Sequence, residues 1–281
     1  SPLVPIELGL RKKLILPQEN NEFENLLNDI MVEQIPTDFL EGYSEMRHKS
    51  LDAFPKNPKV IFTSIDFAFN HGFKFWSAAQ TERGVKLVLA QHGGGYGIIG
   101  PLETESHEKK ICDKYFTWGW ASKEEPEIVS MAAGKLQGNQ YNIHPDPKGI
   151  ILMVTESWPI YFCRQDHISV GLHGPDYFHR QKRFLKVLDP EVFEILLLRL
   201  QNKEYGWNEK ERLSDLDPTP KYYRGADSML SQIKKSRLCV HDYLGTTWLE
   251  TLSMNFPTVV FWDPTRVRTL KSAQPFLDDL L

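Results

Sequence analysis

One stretch restricts the possible architectures more than any other: Val240-His241-Asp242-Tyr243-Leu244-Gly245-Thr246-Thr247-Trp248-Leu249-Glu250, with the apolar run after it. Ser236–Val240 reads as the end of a buried strand. Gly245, Thr246 and Thr247 form a turn of small residues. Thr247–Asn255 reads as one helix, with Trp248, Leu249 and Leu252 on one face. Asn255-Phe256-Pro257 stops it, and Thr258–Trp262 is a second buried strand. This is a βαβ unit, the crossover that parallel strands require.

The turn favours an anion. The first N–H groups of a helix have no partner within it, and that end carries partial positive charge. Glycine lets a phosphate approach closely, and threonine adds hydroxyl donors. Gly245, Thr246 and Thr247 therefore read as phosphate contacts, and Glu250, one turn in, as a ribose contact. A plain strand–turn–helix capped by Thr246 accounts for the same residues.

The pattern recurs upstream. Val60–Thr63 is a short buried strand, Phe73–Arg83 a helix ended by Gly84, and Lys86–Ala90 the next strand. Parallel sheets carry their functional groups on the loops that follow the strands. The first such loop, Ser64 to Lys74, contains Asp66. The second is Gln91-His92-Gly93-Gly94-Gly95-Tyr96-Gly97, with four glycines in five positions. Such a loop holds strained backbone angles and brings N–H groups against a ligand. His92 is a donor for a sugar hydroxyl, a carboxylate or a phosphate; a flexible glycine turn with an incidental histidine is the plainer alternative. Asp66 reads as a nucleophile or base, or as a cap for the following helix. The His92 loop is its expected neighbour. Glu103 and Glu105 read as part of a polar loop.

Tyr115-Phe116-Thr117-Trp118-Gly119-Trp120 reads as the last short strand of the first half, its tryptophans suited to packing more than to stacking on a ligand. Gln137–Lys148, with Gly138, Pro145 and Pro147, is the linker candidate. The second half opens with the buried strand Gly149–Val154, followed by Thr155-Glu156-Ser157-Trp158-Pro159. Helices at Phe178–Leu188 and Gly225–Lys235, and the apolar stretch Phe193–Leu200, complete a second Rossmann-like alternation. Thr269–Leu281 reads as a terminal helix. Ahead of Lys59, Phe23–Val32 has helical spacing, with Phe23, Leu26, Leu27, Ile30 and Met31 on one face. Phe39–Phe54 is another candidate helix, and Pro55-Lys56-Asn57-Pro58 is a break.

Composition removes several classes. The 281 residues are 41% apolar and 12% aromatic, which suits a globular protein of one or two domains. With 33 basic and 37 acidic side chains, the net charge of −4 gives no basis for non-specific nucleic-acid binding. Cys112, Cys163 and Cys239 lack metal-ligand spacing and fit a reducing compartment, so a cytoplasmic location is expected. No apolar run approaches the ~18–20 residues that span a bilayer, so any membrane association is expected to be peripheral and through other domains. The chain begins Ser1-Pro2 without a signal-peptide pattern, and we expect a piece whose true start lies upstream.

Together, Gln91–Gly97, Thr117–Trp120, Tyr205-Gly206-Trp207 and Tyr243–Pro264 resemble a family of bacterial surface-carbohydrate transferases. That family is similar to GT-B glycosyltransferases, in particular to the retaining β-Kdo transferase domain of WbbB-type O-antigen synthases. The resemblance runs from about Lys59 to Pro264. It implies an α/β, GT-B-like fold with two Rossmann-like domains facing a cleft. Residues 1–140 would be an incomplete acceptor-side domain, 141–265 the nucleotide-sugar domain, and 266–281 a terminal helix. It also implies a CMP-β-Kdo donor, a glycan acceptor, no metal or other cofactor, and a double displacement through an aspartate adduct. Asp66 matches that aspartate by its place after the first strand. Retention requires a carboxylate on the face opposite the leaving CMP.

On this reading Asp66, His92 and Gln91 are catalytic. Lys74, Gly93, Gly94, Tyr96 and Arg199 meet the donor sugar and its carboxylate. Glu156, Tyr243, Gly245, Thr246, Thr247 and Glu250 meet the nucleotide. Lys74 and Arg199 read equally as ordinary surface or sheet-end charges. A transferase with another nucleotide donor, or a non-catalytic glycan-binding module of the same fold, are the alternatives.

Overall fold

The structure is a computed structural model in which residues 4–14, 21–100, 102–137, 143–161 and 173–280 are described. The chain packs as two compact units, one of residues 1–90 with 112–114 and one of residues 91–111 with 115–281.

In the first unit, β1 (Val60–Thr63) and β2 (Lys86–Ala90) pair in parallel, with Val60 opposite Lys86. The His71–Thr81 helix crosses between them. It starts ahead of the apolar run because Asn70 Oδ1 accepts the Phe73 N–H at 3.0 Å, an N-cap. Phe73, Phe75, Trp76 and Ala79 form its buried face. Gly84, at φ +90°, makes the turn into β2. Ahead of β1 lie helices at Glu22–Gln34 and Tyr43–Ala53. The first leaves Phe23, Leu26, Leu27, Ile30 and Met31 exposed and buries Val32. The second begins at Tyr43, later than the apolar spacing suggests, because Thr37–Phe39 forms a separate tight turn.

The second unit takes in β3 (Lys114–Trp118) from Tyr115 on, and β3 and β4 (Ile128–Met131) pair in parallel, with Tyr115 opposite Ile128. Five more strands follow: β5 (Ile150–Val154), β6 (Leu196–Arg199), β7 (Tyr222–Tyr223), β8 (Ser236–His241) and β9 (Thr258–Val260). They form one parallel sheet in the order β7-β6-β5-β8-β9. One face is covered by a core around Met153, Leu198 and Val240. The other is covered by a core around Leu152, Ile233 and Cys239. Both faces are buried, as a parallel sheet requires. The chain moves outward from β5 through β6 to β7, then returns to the other side of β5 for β8 and β9. The carboxyl ends of β5 and β8 therefore flank a topological switch point, where open α/β sheets take ligands.

The structure corrects several local readings. Glu103–Ile111 is a helix, not a polar loop, with acids in its first turn and Lys109 and Lys110 in its last, as the helix dipole favours. The Thr247 helix ends at Ser253, and Asn255 at φ +50° turns the chain toward β9. Within Thr269–Leu281 only Gln274–Asp278 is helical, and Leu281 lies outside the described residues. Residues 138–142 of the expected linker, and Cys163, also lie outside them. Ile143, in the middle of the expected linker, is buried in the β5–β8 core. Among the described residues, no helix is long and apolar enough to cross a membrane.

Candidate functional site

At the switch point lies a cavity of about 260 Å³, lined by His92–Tyr96, Glu156–Trp158 and Tyr243–Thr246, with Leu102, Thr104 and Gln201. All of these belong to the second unit.

The first wall is the glycine loop. Gln91 opens it and is buried. Its Oε1 accepts from the Trp118 N–H and from Trp120 Nε1–H, both at 2.9 Å, while its Nε2 donates to the Gly93 carbonyl at 2.8 Å. The carboxamide thus ties the loop to the Trp118–Trp120 turn. Trp120 packs beneath Gly97, where a Cβ would lie 2.6 Å from the indole; at φ +71° the position also favours glycine. The Gly97 N–H donates to Glu105 Oε2 at 2.9 Å. Tyr96 is buried, donates to Glu108 Oε1 at 2.8 Å and faces the His92 ring edge-on at 4.9 Å.

The second wall follows β5. The Glu156 N–H donates to Asp242 Oδ1 at 3.1 Å, and Tyr177 Oη donates to Asp242 Oδ2 at 2.7 Å. Burial pushes the Asp242 carboxyl up to about 7, against the opposing pull of those donors. The same desolvation raises the Tyr177 phenol well above its ordinary range. Trp207 Nε1–H donates to the Trp158 carbonyl at 2.7 Å, and the two indoles meet at 5.6 Å. The Tyr205-Gly206-Trp207 motif is held in turn by Glu204, which accepts from the N–H groups of Gly206 and Trp207 at 2.7 and 2.6 Å. A second cavity, of about 250 Å³, is lined by Tyr177, Gln181, Asp242 and Trp262.

The Tyr243–Thr246 turn meets the glycine loop. The Gly94 N–H donates to Thr246 Oγ1 at 3.1 Å. A Cβ on Gly94 would lie 2.2 Å from the Gly245 carbonyl oxygen, so only glycine allows this approach. A Cβ on Gly245 would lie 2.1 Å from the Tyr243 ring. Thr246 occupies the cap position of the Thr247–Ser253 helix, yet its side chain makes no cap bond. Burial pushes the Tyr243 phenol up to about 12, so Tyr243 is a neutral hydroxyl near pH 7.

Residues 5–281 match the model of the LIC12162 family transferases. The chain belongs to that family. No curated protein matches it in sequence. Among solved structures, the chain is similar to one assigned as a UDP-N-acetylglucosamine 2-epimerase from Listeria monocytogenes, at 13% identity and a TM-score of 0.46, over 84% of this chain and 64% of that one. It is also similar to the trehalose-6-phosphate synthase OtsA, at 11% identity and a TM-score of 0.43, over 81% of this chain and 61% of that one. The LIC12162 family chain thus spans less than two thirds of the length of either.

The cavity of this LIC12162 family member gathers His92, Gly93, Gly94, Tyr96, Glu156, Tyr243, Gly245 and Thr246 from the sequence reading. Others stand apart from its lining. Thr247 is half-buried, and its Oγ1 lies 3.2 Å from Nδ1 of the fully buried His241. Thr251 Oγ1 donates to the Trp248 carbonyl and so accepts from His241 Nε2–H at 3.2 Å. That leaves Nδ1 to accept from Thr247. Burial pushes His241 down to about 4, so it is neutral. Glu250 is buried on the same helix. Arg199, at the end of β6, holds Gln232 and the Asp227 carbonyl, the latter at 2.7 Å.

Asp66 and Lys74 belong to the first unit. Asp66 is exposed and opens a helical turn directly after β1; Thr63 Oγ1 donates to its Oδ2 at 3.2 Å. Lys74 stands 6.0 Å from the Phe39 ring centre. Sequence reasoning missed Glu108, Asp242 with Tyr177, Ser157, Trp158 and Gln201. Only the strand-end position of Asp242 was a usable signal. Among the described residues, no group of three or more His, Cys, Asp or Glu is placed to hold a metal ion.

Proposed function

We propose that this transferase is a retaining glycosyltransferase that moves Kdo, or a related ulosonic acid, from CMP-β-Kdo onto a bacterial surface glycan of the O-antigen or lipopolysaccharide type, at the cytoplasmic side of the membrane. The observation that carries the reading is the meeting of the glycine loop with the Gly245–Thr246 turn at the sheet's switch point. Closely packed backbone N–H groups suit a leaving phosphate, whose negative charge needs donors in a water-poor site. The choice of CMP and of Kdo rests on the motif resemblance alone.

Asp66 is the nucleophile in this reading. Its carboxylate attacks the anomeric carbon as the bond to CMP breaks, and an acceptor hydroxyl then displaces the carboxylate, giving net retention. The support is its place at the carboxyl end of a parallel strand, exposed, with Thr63 orienting one oxygen. His92 takes the proton of the incoming hydroxyl, and Gln91 holds the loop that presents it.

Exposure to CMP-β-Kdo without acceptor should add one sugar mass to the intact protein and release CMP. Asp66→Asn should abolish both. An adduct that maps to another residue removes Asp66 while keeping the reaction class. No CMP release and no transfer by the full-length protein, with a panel of oligosaccharide acceptors, overturns the class itself.

A further inference from the structure

The β5 side of the cavity and the turn after β8 are joined through one acid. Asp242 is the first residue beyond β8, and Tyr243–Thr246, which follow it, line the cavity. Glu156, two residues beyond β5, is tied to it across 86 positions. The Glu156 N–H is shared between Asp242 Oδ1, at 3.1 Å, and Tyr177 Oη, at 3.0 Å. Tyr177 Oη donates in turn to Asp242 Oδ2 at 2.7 Å. The three groups close a ring of hydrogen bonds. Because β5 and β8 are neighbours, with Val154 opposite His241, the ring carries their pairing past its last rung. It fixes where the Glu156–Trp158 wall leaves the sheet.

The charge on Asp242 sets the strength of that ring. Hydrogen bonds to an ionised acceptor are roughly twice as strong as neutral ones, so a protonated carboxyl holds both donors more weakly. Although buried, Asp242 borders the second cavity, of about 250 Å³, which gives its proton a way in and out. On that side the Gly174–Lys186 helix presents Tyr177, Gln181 and Arg180, and Arg180 is paired with Asp263 from the segment after β9. Glu156 is the acid on the β5 side, and His241 and Tyr243 adjoin Asp242 in the chain. Near pH 7, Tyr177, Tyr243 and His241 are neutral and Asp263 is ionised. Burial instead brings the Asp242 carboxyl into this range, to about 7.

We propose that Asp242 and Tyr177 are positioning residues of the ligand cavity: ionised Asp242 holds the Glu156–Trp158 wall in its binding form, and protonated Asp242 loosens it. Ligand affinity then rises with pH through the titration of Asp242, and by linkage a bound ligand draws that titration to lower pH. Fold and site pull in opposite directions, because the proton that stabilises the buried acid weakens the wall. The proposal rests on the nucleotide reading above only for its probe, CMP.

The test is calorimetric titration of CMP into wild type and Asp242→Asn between pH about 5.5 and about 8. Asparagine keeps an oxygen for the Glu156 N–H and does not ionise. The CMP phosphate and every other titrating group are common to both proteins, so the ratio of the two affinities isolates Asp242. Wild-type affinity relative to the variant should rise by about fivefold to tenfold across the range, the scale of exchanging a neutral hydrogen bond for a charge-assisted one. The midpoint should lie at about 7. Tyr177→Phe removes a donor that holds the carboxyl down and should move that midpoint to higher pH. The Glu156 amide proton of the ligand-free wild type is a second readout, and its NMR shift should follow the same midpoint. An affinity ratio that is constant with pH overturns the proposal, and so does a Glu156 amide that does not titrate. Failure of CMP to bind at any pH sinks the nucleotide reading instead and leaves the Glu156 amide to decide this one.

Discussion

Glu108 and Asp242 are both buried acids, and each secures one wall of the same cavity, but by different means. Glu108 receives two phenolic hydroxyls and so couples three side chains from the glycine loop, the Glu103–Ile111 helix and β3. Asp242 receives one phenol and one backbone N–H, and burial lifts its carboxyl to about 7. The first wall depends on two phenols that donate to one buried carboxylate. The second depends on a carboxyl that exchanges its proton near neutrality. The difference teaches where the site is rigid and where it responds to pH.

The sharpest break of that comparison is Glu108→Ala. It takes the carboxylate acceptor from the Tyr96 and Tyr115 hydroxyls, and removing one partner of a buried charged network costs about 3–5 kcal/mol. Urea unfolding against wild type measures it; a loss under roughly 1 kcal/mol, the scale of a single ordinary hydrogen bond, would mean that water reaches those hydroxyls. Next is Gly94→Ala, whose Cβ would meet the Gly245 carbonyl at 2.2 Å. Overpacking of this kind costs about 1–3 kcal/mol. Gly93→Ala is its control: the nearest atom to that Cβ is 3.9 Å away, so stability should barely change.

The second wall is expected to respond gradually. The folded state holds the Asp242 proton between the ordinary carboxyl value of 3.8 and about 7, where the unfolded chain has released it. This group's contribution to stability is therefore full on the acid side and is lost as the pH rises toward 7. Its slope is at most about 1.4 kcal/mol per pH unit. Asp242→Asn should flatten that part of the urea-derived stability curve, and an unchanged slope would take Asp242 out of the account. The smallest effect belongs to Thr247→Ala, which takes the hydroxyl from neutral His241 and should cost about 1 kcal/mol of stability.

The parallel architecture was legible because apolar runs, helical spacing and glycine breaks are local signals. The glycine loop and the Gly245–Thr246 turn stood out for the same reason. What joins them was not. The bond from Gly94 to Thr246 spans 152 positions and diverts the hydroxyl that local rules assign to a helix cap. Glu108 sits among Glu103, Glu105, Lys109 and Lys110, a pattern that reads as solvated; its burial is set by two tyrosines outside its helix. Asp242 and Tyr177 meet across 65 positions. Arg199 showed the converse: it looks available from its strand-end position, but Gln232 and Asp227, 33 and 28 residues on, engage it. Strand β4, only Ile128–Met131, is too short for its alternation to stand out.

The central claim is that a nucleotide seats where the glycine loop meets the Gly245–Thr246 turn. A crystal of the protein soaked with CMP tests it most directly. The account predicts density for the phosphate against the Gly93–Gly95 backbone and the Thr246 side chain, with the nucleoside bounded by Glu156 and Tyr243, and loss of that density in Gly94→Ala crystals. CMP ordered elsewhere in the wild-type protein, or bound with equal occupancy after Gly94→Ala, would contradict it.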